Sequence, residues 1–67
     1  MDHEIEAIKC IIIDTQIEHH DLDVVITKLS ESPYSDQLQL KRLKKRRLQL
    51  KDMIIKLKEQ LIPDILA

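Results

Sequence analysis

Three groups of side chains in this 67-residue sequence have types and spacings that bear on chemistry: its histidines, a single cysteine and a run of bases. His19 and His20 are adjacent, so on a helix they stand about 100° apart and cannot both bind one metal ion from the same chain. His19 and Asp23 do share a helix face at a spacing of four and form a two-ligand arm that a symmetric copy could complete. His3 adds an imidazole near the N-terminus. The simpler expectation is a helix-face histidine hydrogen-bonded to Asp23 or facing solvent, and no metal or other cofactor is assigned. Cys10 stands in the run Cys10-Ile11-Ile12-Ile13 with Lys9 as its basic neighbour. That setting suits a small packed hydrophobe better than an activated thiolate.

The bases are concentrated in Lys41-Arg42-Leu43-Lys44-Lys45-Arg46-Arg47-Leu48-Gln49-Leu50-Lys51, seven in eleven residues. Lys44, Lys45, Arg46 and Arg47 are its candidate anion-binding residues, and phosphate is the obvious ligand. Three features argue against a nucleic-acid surface. The bases spread around several helix faces, no aromatic is interleaved for base stacking, and the rest of the chain carries the neutralising charge. Residues 1–36 hold nine acids against Lys9 and Lys28, whereas residues 37–67 hold nine bases against three acids, so a net charge of −1 conceals halves of −7 and +6. Halves so charged attract one another, which favours a chain folded back on itself or an alternating bundle.

Composition restricts the elements that could position these groups. There is no Gly, Phe or Trp, and there are two Pro, with 43% of residues hydrophobic and 34% charged. Without glycine, phosphate-cradling loops, tight β-hairpins and nucleophile elbows lack the residue that adopts positive φ cheaply, so enzyme chemistry is not expected. The chain is helical in composition and short enough to hold one domain at most. Its N-terminus is acidic and its longest apolar run is Cys10-Ile11-Ile12-Ile13, so neither an export signal nor a membrane span is expected. A lone cysteine fits a reducing compartment, which makes the expected location cytoplasmic.

Apolar residues recur at spacings of three and four along both halves. Ile8, Ile12, Leu22, Ile26 and Leu29 form one series, continuous with Ile5 and passing through Thr15 and His19. Leu40, Leu43, Leu50, Ile54, Leu57 and Leu61 form the other, passing through Arg47. Each is a heptad seam, so the expected architecture is all-α, an antiparallel hairpin of a helix over about 2–30, a hinge at 31–35 and a helix over about 36–62. Pro33 disfavours helix at Ser32, Ser32 or Ser35 is the expected N-cap of the second helix, and Pro63 stops that helix near Leu61 or Ile62. An antiparallel register with a short loop opposes Leu29 to Leu40, Ile26 to Leu43, Leu22 to Arg47 and Ile12 to Leu57. Arg47 is then expected to snorkel to the rim or pair with an acid, and Asp23 to face Lys44 across the flank.

One seam leaves apolar surface over. Cys10, Ile13, Ile17, His20 and Val24 make a second 3-4 series on the far side of the first helix, and Leu48, Ile55 and Ile62 repeat at heptad spacing outside the seam of the second. A helix apolar on two opposed faces is normally buried between neighbours, so a homodimer or higher homo-oligomer is expected, with Ile13, Ile17, Val24, Leu48, Ile55 and Ile62 at the contact. A membrane surface is not an expected partner, because the seam claims the apolar face of the basic helix and no Trp or Phe anchors it.

The segment Leu40-Lys41-Arg42-Leu43-Lys44-Lys45-Arg46-Arg47-Leu48-Gln49-Leu50-Lys51-Asp52-Met53-Ile54 resembles the LKKxxLxLKDxI signature of the YdcH-like family. His19, Leu22, Asp23 and Ile26 stand where that family has its HxxLDxxI segment. Together the two motifs cover residues 19–54. The resemblance implies a small bacterial helical hairpin of unknown function without a known activity or cofactor. The expected role is that of a self-associating protein-interaction module, the alternative being a nucleic-acid-associated protein that uses the second helix.

Overall fold

The structure, a computed structural model, describes residues 2–61. Helix α1 spans Asp2–Glu31 and helix α2 spans Gln37–Leu61, and the two pack against one another as an all-α hairpin with no strand among the described residues. At 1.5 Å per residue α1 is about 45 Å long, in keeping with a molecule of 50 × 23 × 14 Å. Ile62, Pro63 and the apolar tail lie outside the described residues.

The turn is built without a left-handed residue: no described residue has positive φ. Ser32 ends α1, its amide donating to the Leu29 carbonyl at 3.2 Å in a tightened final turn. Pro33 then occupies the second position of a four-residue turn closed by the Ser35 amide on the Ser32 carbonyl at 3.4 Å, a place where its fixed φ fits. The Ser35 hydroxyl donates to the carbonyls of Leu29 and Ser32 and so adds a side-chain donor to the two backbone bonds that close the helix end.

The cap of α2 differs from the sequence expectation. Asp36, not Ser32 or Ser35, is the N-cap: its Oδ1 accepts from the amides of Leu38 at 2.9 Å and Gln39 at 3.3 Å, and its carbonyl accepts from Leu40 at 3.0 Å. Because α2 begins at Gln37, Asp36 holds the cap position; Ser35 precedes it and turns its hydroxyl back to α1, and the Ser32 hydroxyl, further back in the turn, accepts from the Tyr34 amide at 3.3 Å. The carboxylate also places a negative charge at the positive end of the helix dipole.

Apart from Ile5, which is 44% exposed, every position of the two 3-4 series is withdrawn from water. Ile12, Ile26, Leu40 and Leu50 are buried, as is Thr15, while Ile8, His19, Leu22, Leu29, Leu43, Arg47, Ile54, Leu57 and Leu61 are half-buried. Ser35, in the turn, is the other half-buried residue, and the remaining side chains of residues 3–61 are exposed. Leu50, at 1% exposure, is the centre of the contact. Thr15 enters this line without leaving an orphan, because its Oγ1 donates to the Ile11 carbonyl one turn back at 2.6 Å.

With so few fully buried side chains, each one matters. Leu50→Ala should lower stability by about 2–4 kcal/mol, read from thermal or urea unfolding followed by circular dichroism. Thr15→Val should be neutral or stabilise by up to about 1 kcal/mol, since the carbonyl it releases still serves the helix ladder.

Candidate functional site

The surface that the seam leaves free falls into a groove on each side of the hairpin. The larger, about 720 Å³, runs beside α2 and is lined by His19 and Asp23 of α1 and by Lys44, Arg47, Leu48, Lys51, Ile54 and Ile55 of α2. Its α2 wall is set by helical spacing: Lys44, Leu48, Lys51 and Ile55 recur at four, three and four, so cations and aliphatics alternate along one stripe. The opposite groove is lined by Glu18, Asp21, Leu22, Val25 and Arg46. A third concavity, lined by Leu38, Lys41, Arg42, Lys44, Lys45 and Leu48, lies on α2 itself.

Two ion pairs tie the basic helix to the acidic one. Arg47 Nη1 donates to Asp23 Oδ1 at 2.7 Å, and Arg46 Nη2 donates to Glu18 Oε1 at 3.1 Å. Arg47 therefore sits on the seam with its stem half-buried and its head at the rim. The expected Asp23–Lys44 contact is replaced: both line the larger groove, but the carboxylate takes the guanidinium, whose planar fork reaches it from the seam itself. A third pair, Lys9 with Glu6 at 3.6 Å, lies within α1.

Asp23 is thereby withdrawn from the two-ligand arm. His19 is half-buried at the groove edge, His20 and His3 are exposed, and among the described residues no group of three His, Cys, Asp or Glu could hold a metal ion. Cys10 is exposed rather than packed. The isoleucines next to it in sequence turn to other faces, Ile12 inward and Ile11 and Ile13 outward, so an apolar run does not make an apolar neighbourhood.

The outer positions are uncovered within one chain. Ile13 is 56% exposed, Ile17 54% and Leu48 59%, with Val24 and Ile55 also exposed. Ile62 lies outside the described residues. Of the four candidate anion-binding residues, Arg46 and Arg47 are engaged by carboxylates of α1, while Lys44 and Lys45 project from α2 without an ion pair among the described residues. Sequence reasoning passed over the exposed apolar residues Ile11, Val25 and Met53, which border the seam. Their signal was their position one place beside a seam residue, next to Ile12, Ile26 and Ile54. No described helix is long and apolar enough to cross a membrane.

The Arg47–Asp23 pair is open to water, and open pairs contribute about 0–1 kcal/mol. Arg47→Met and Asp23→Asn, made singly and together, should give a coupling energy within that range in a double-mutant cycle of unfolding free energies. A coupling well above it would show that the pair carries the hairpin rather than trims it.

No curated protein and no solved structure matches the chain. Residues 15–58, from the middle of α1 through the turn and most of α2, match the family described as "Protein of unknown function (DUF465)". This is the family that the motifs at residues 19–54 resemble, under its other name of YdcH-like, and the chain belongs to it.

Proposed function

We propose that this protein is a small helical interaction module that self-associates, and that it works by binding rather than by catalysis. The observation that carries the reading is the stripe of Ile13, Ile17 and Val24, which lies on α1 roughly opposite its seam and is exposed along its length. Helix α1 is thus apolar on two faces, of which α2 covers one, and a face of that kind is normally buried against a neighbour. Size supports the same reading, since a hairpin with so thin a core gains much of its stability on association. The larger groove suits a binding surface also, with aliphatic walls and cationic edges.

Sedimentation equilibrium of the purified protein at micromolar concentration should give a mean mass above the 7.9 kDa of one chain. A fully helical species that stays at one chain mass would overturn the reading.

The alternative, a nucleic-acid-associated protein using α2, draws on Lys41, Lys44 and Lys45, which are exposed on that helix. It is the weaker reading because Glu18 and Asp23 already engage Arg46 and Arg47, and because the acidic helix lies alongside. Binding to a generic DNA duplex should be weak at low salt and unaffected by Lys44→Ala with Lys45→Ala. Tight binding that collapses between low and moderate salt, and is lost in that double variant, would favour the alternative.

A further inference from the structure

Two outer stripes of the hairpin complement each other in both charge and spacing. On α1, Cys10, Asp14, Ile17 and Asp21 recur at four, three and four and are all exposed. On α2, read in the reverse direction, Ile55, Lys51, Leu48 and Lys44 recur at the same four, three and four, also exposed, and line the larger groove together. One antiparallel register therefore sets Cys10 on Ile55, Asp14 on Lys51, Ile17 on Leu48 and Asp21 on Lys44. Apolar meets apolar and acid meets base at every step. The heptad repeat alone ensures that apolar positions can align; it does not require that the acids of one stripe fall on the bases of the other.

The stripes cannot meet within one hairpin, because they lie on opposite sides of it. At 100° per residue the α1 stripe centres about 140° from its seam in one sense, and the α2 stripe about 100° from its seam in the sense that leads to the other side. The grooves place them accordingly: the α2 stripe lines one groove with His19 and Asp23, while Asp21 lines the groove on the opposite side.

We infer that the occupant of the Leu48–Ile55 groove is the acidic outer stripe of α1 from a second copy, joined head to tail. A two-fold dimer would need both stripes on one side, so that each copy gives and receives at once. With the stripes on opposite sides, each copy uses one to receive and the other to be received, which is a heterologous contact. Its register also differs from that within the hairpin. The intramolecular seam sets Ile17 level with position 52, whereas the outer contact sets it level with Leu48, a step of four residues or about 6 Å along the axis. A contact that advances along the axis does not close into a ring, so the copies add as an open, staggered row. Apolar burial holds the contact, and the Asp–Lys pairs select the partner and its register.

This inference rests on the self-association proposed above, and the experiment separates the two. Ile17→Asp spoils one stripe and Leu48→Asp the other, and both side chains are more than half exposed, so neither change should unfold the hairpin; circular dichroism checks this. The unmodified protein should sediment with a mean mass that climbs past two chains as concentration rises from micromolar to millimolar. Each variant alone should remain at one chain mass. An equimolar mixture of the variants should form a species of two chains and stop there, because one intact stripe of each kind remains. Leu48→Asp associating as the unmodified protein does would overturn the head-to-tail contact while leaving self-association intact. An unmodified protein that stays at one chain mass would overturn both. Charge reversal offers a second route without touching apolar residues. Lys44→Glu with Lys51→Glu should abolish growth of the row, and adding Asp14→Lys with Asp21→Lys in the same chain should restore it. Failure of that restoration, with helicity kept, overturns the pairing.

Discussion

Two rods laid side by side touch along one line, and that limit governs this molecule. Each helix can bury a single stripe against the other, and the stripe it buries is the one whose spacing follows the line of contact. Ile12, Thr15, Ile26, Leu40 and Leu50 take that line, and the half-buried seam residues continue it. Among the described residues, everything else apolar remains in water because no second layer exists to receive it. The contrast with a larger domain is one of geometry rather than composition: with 43% hydrophobic residues the chain is rich enough for a thicker core, but two helices give it no interior beyond the seam.

The turn and the charges are consequences of that line more than causes of it. A glycine-free chain cannot end its first helix with the usual left-handed residue, and here the work passes to oxygen atoms. The Ser35 hydroxyl closes α1 and the Asp36 carboxylate opens α2, so adjacent residues serve different helices. The segregated charges act at the rim, where Arg46–Glu18 and Arg47–Asp23 lie open to solvent. Pairs of this kind contribute little to stability, but a basic helix beside an acidic one disfavours slippage and the pairing of like helices.

The hairpin was legible in the sequence because seam spacing and burial express the same periodicity. A residue at three or four from its neighbours returns to the line of contact, and no knowledge of the partner is needed to say so. The cap was not legible at the level of the residue. Ser32, Ser35 and Asp36 all have capping side chains, and only the backbone path shows that α2 begins at Gln37 and so gives the cap position to Asp36. The partner of Asp23 failed for a related reason: Lys44 and Arg47 lie within one turn and line the same groove as the carboxylate, and side-chain length blurs position. Cys10 shows the converse error, in which neighbours in sequence were taken for neighbours in space. Adjacent residues on a helix stand about 100° apart, so three isoleucines beside a thiol need not touch it.

The family match adds a boundary to this picture. Residues 15–58 include the turn, the buried Thr15, Ile26, Leu40 and Leu50, and both interhelical ion pairs, while leaving out most of the first half of α1. Packing accounts for four leucines of the matched second helix: Leu40, Leu43, Leu50 and Leu57 stand on the line of contact. It does not account for Lys44, Lys45 or Lys51, which project away from that line and could be any solvated residue without changing the hairpin. Neither does it account for an isoleucine at 13 or 17, where a polar side chain would sit in water at lower cost. Residues that the internal packing leaves unexplained are the ones that the proposed association would explain, and in this molecule they fall on outer faces where charge and apolar surface repeat together. The role of the protein is therefore to be sought on those faces, since the seam that makes the fold makes only the fold.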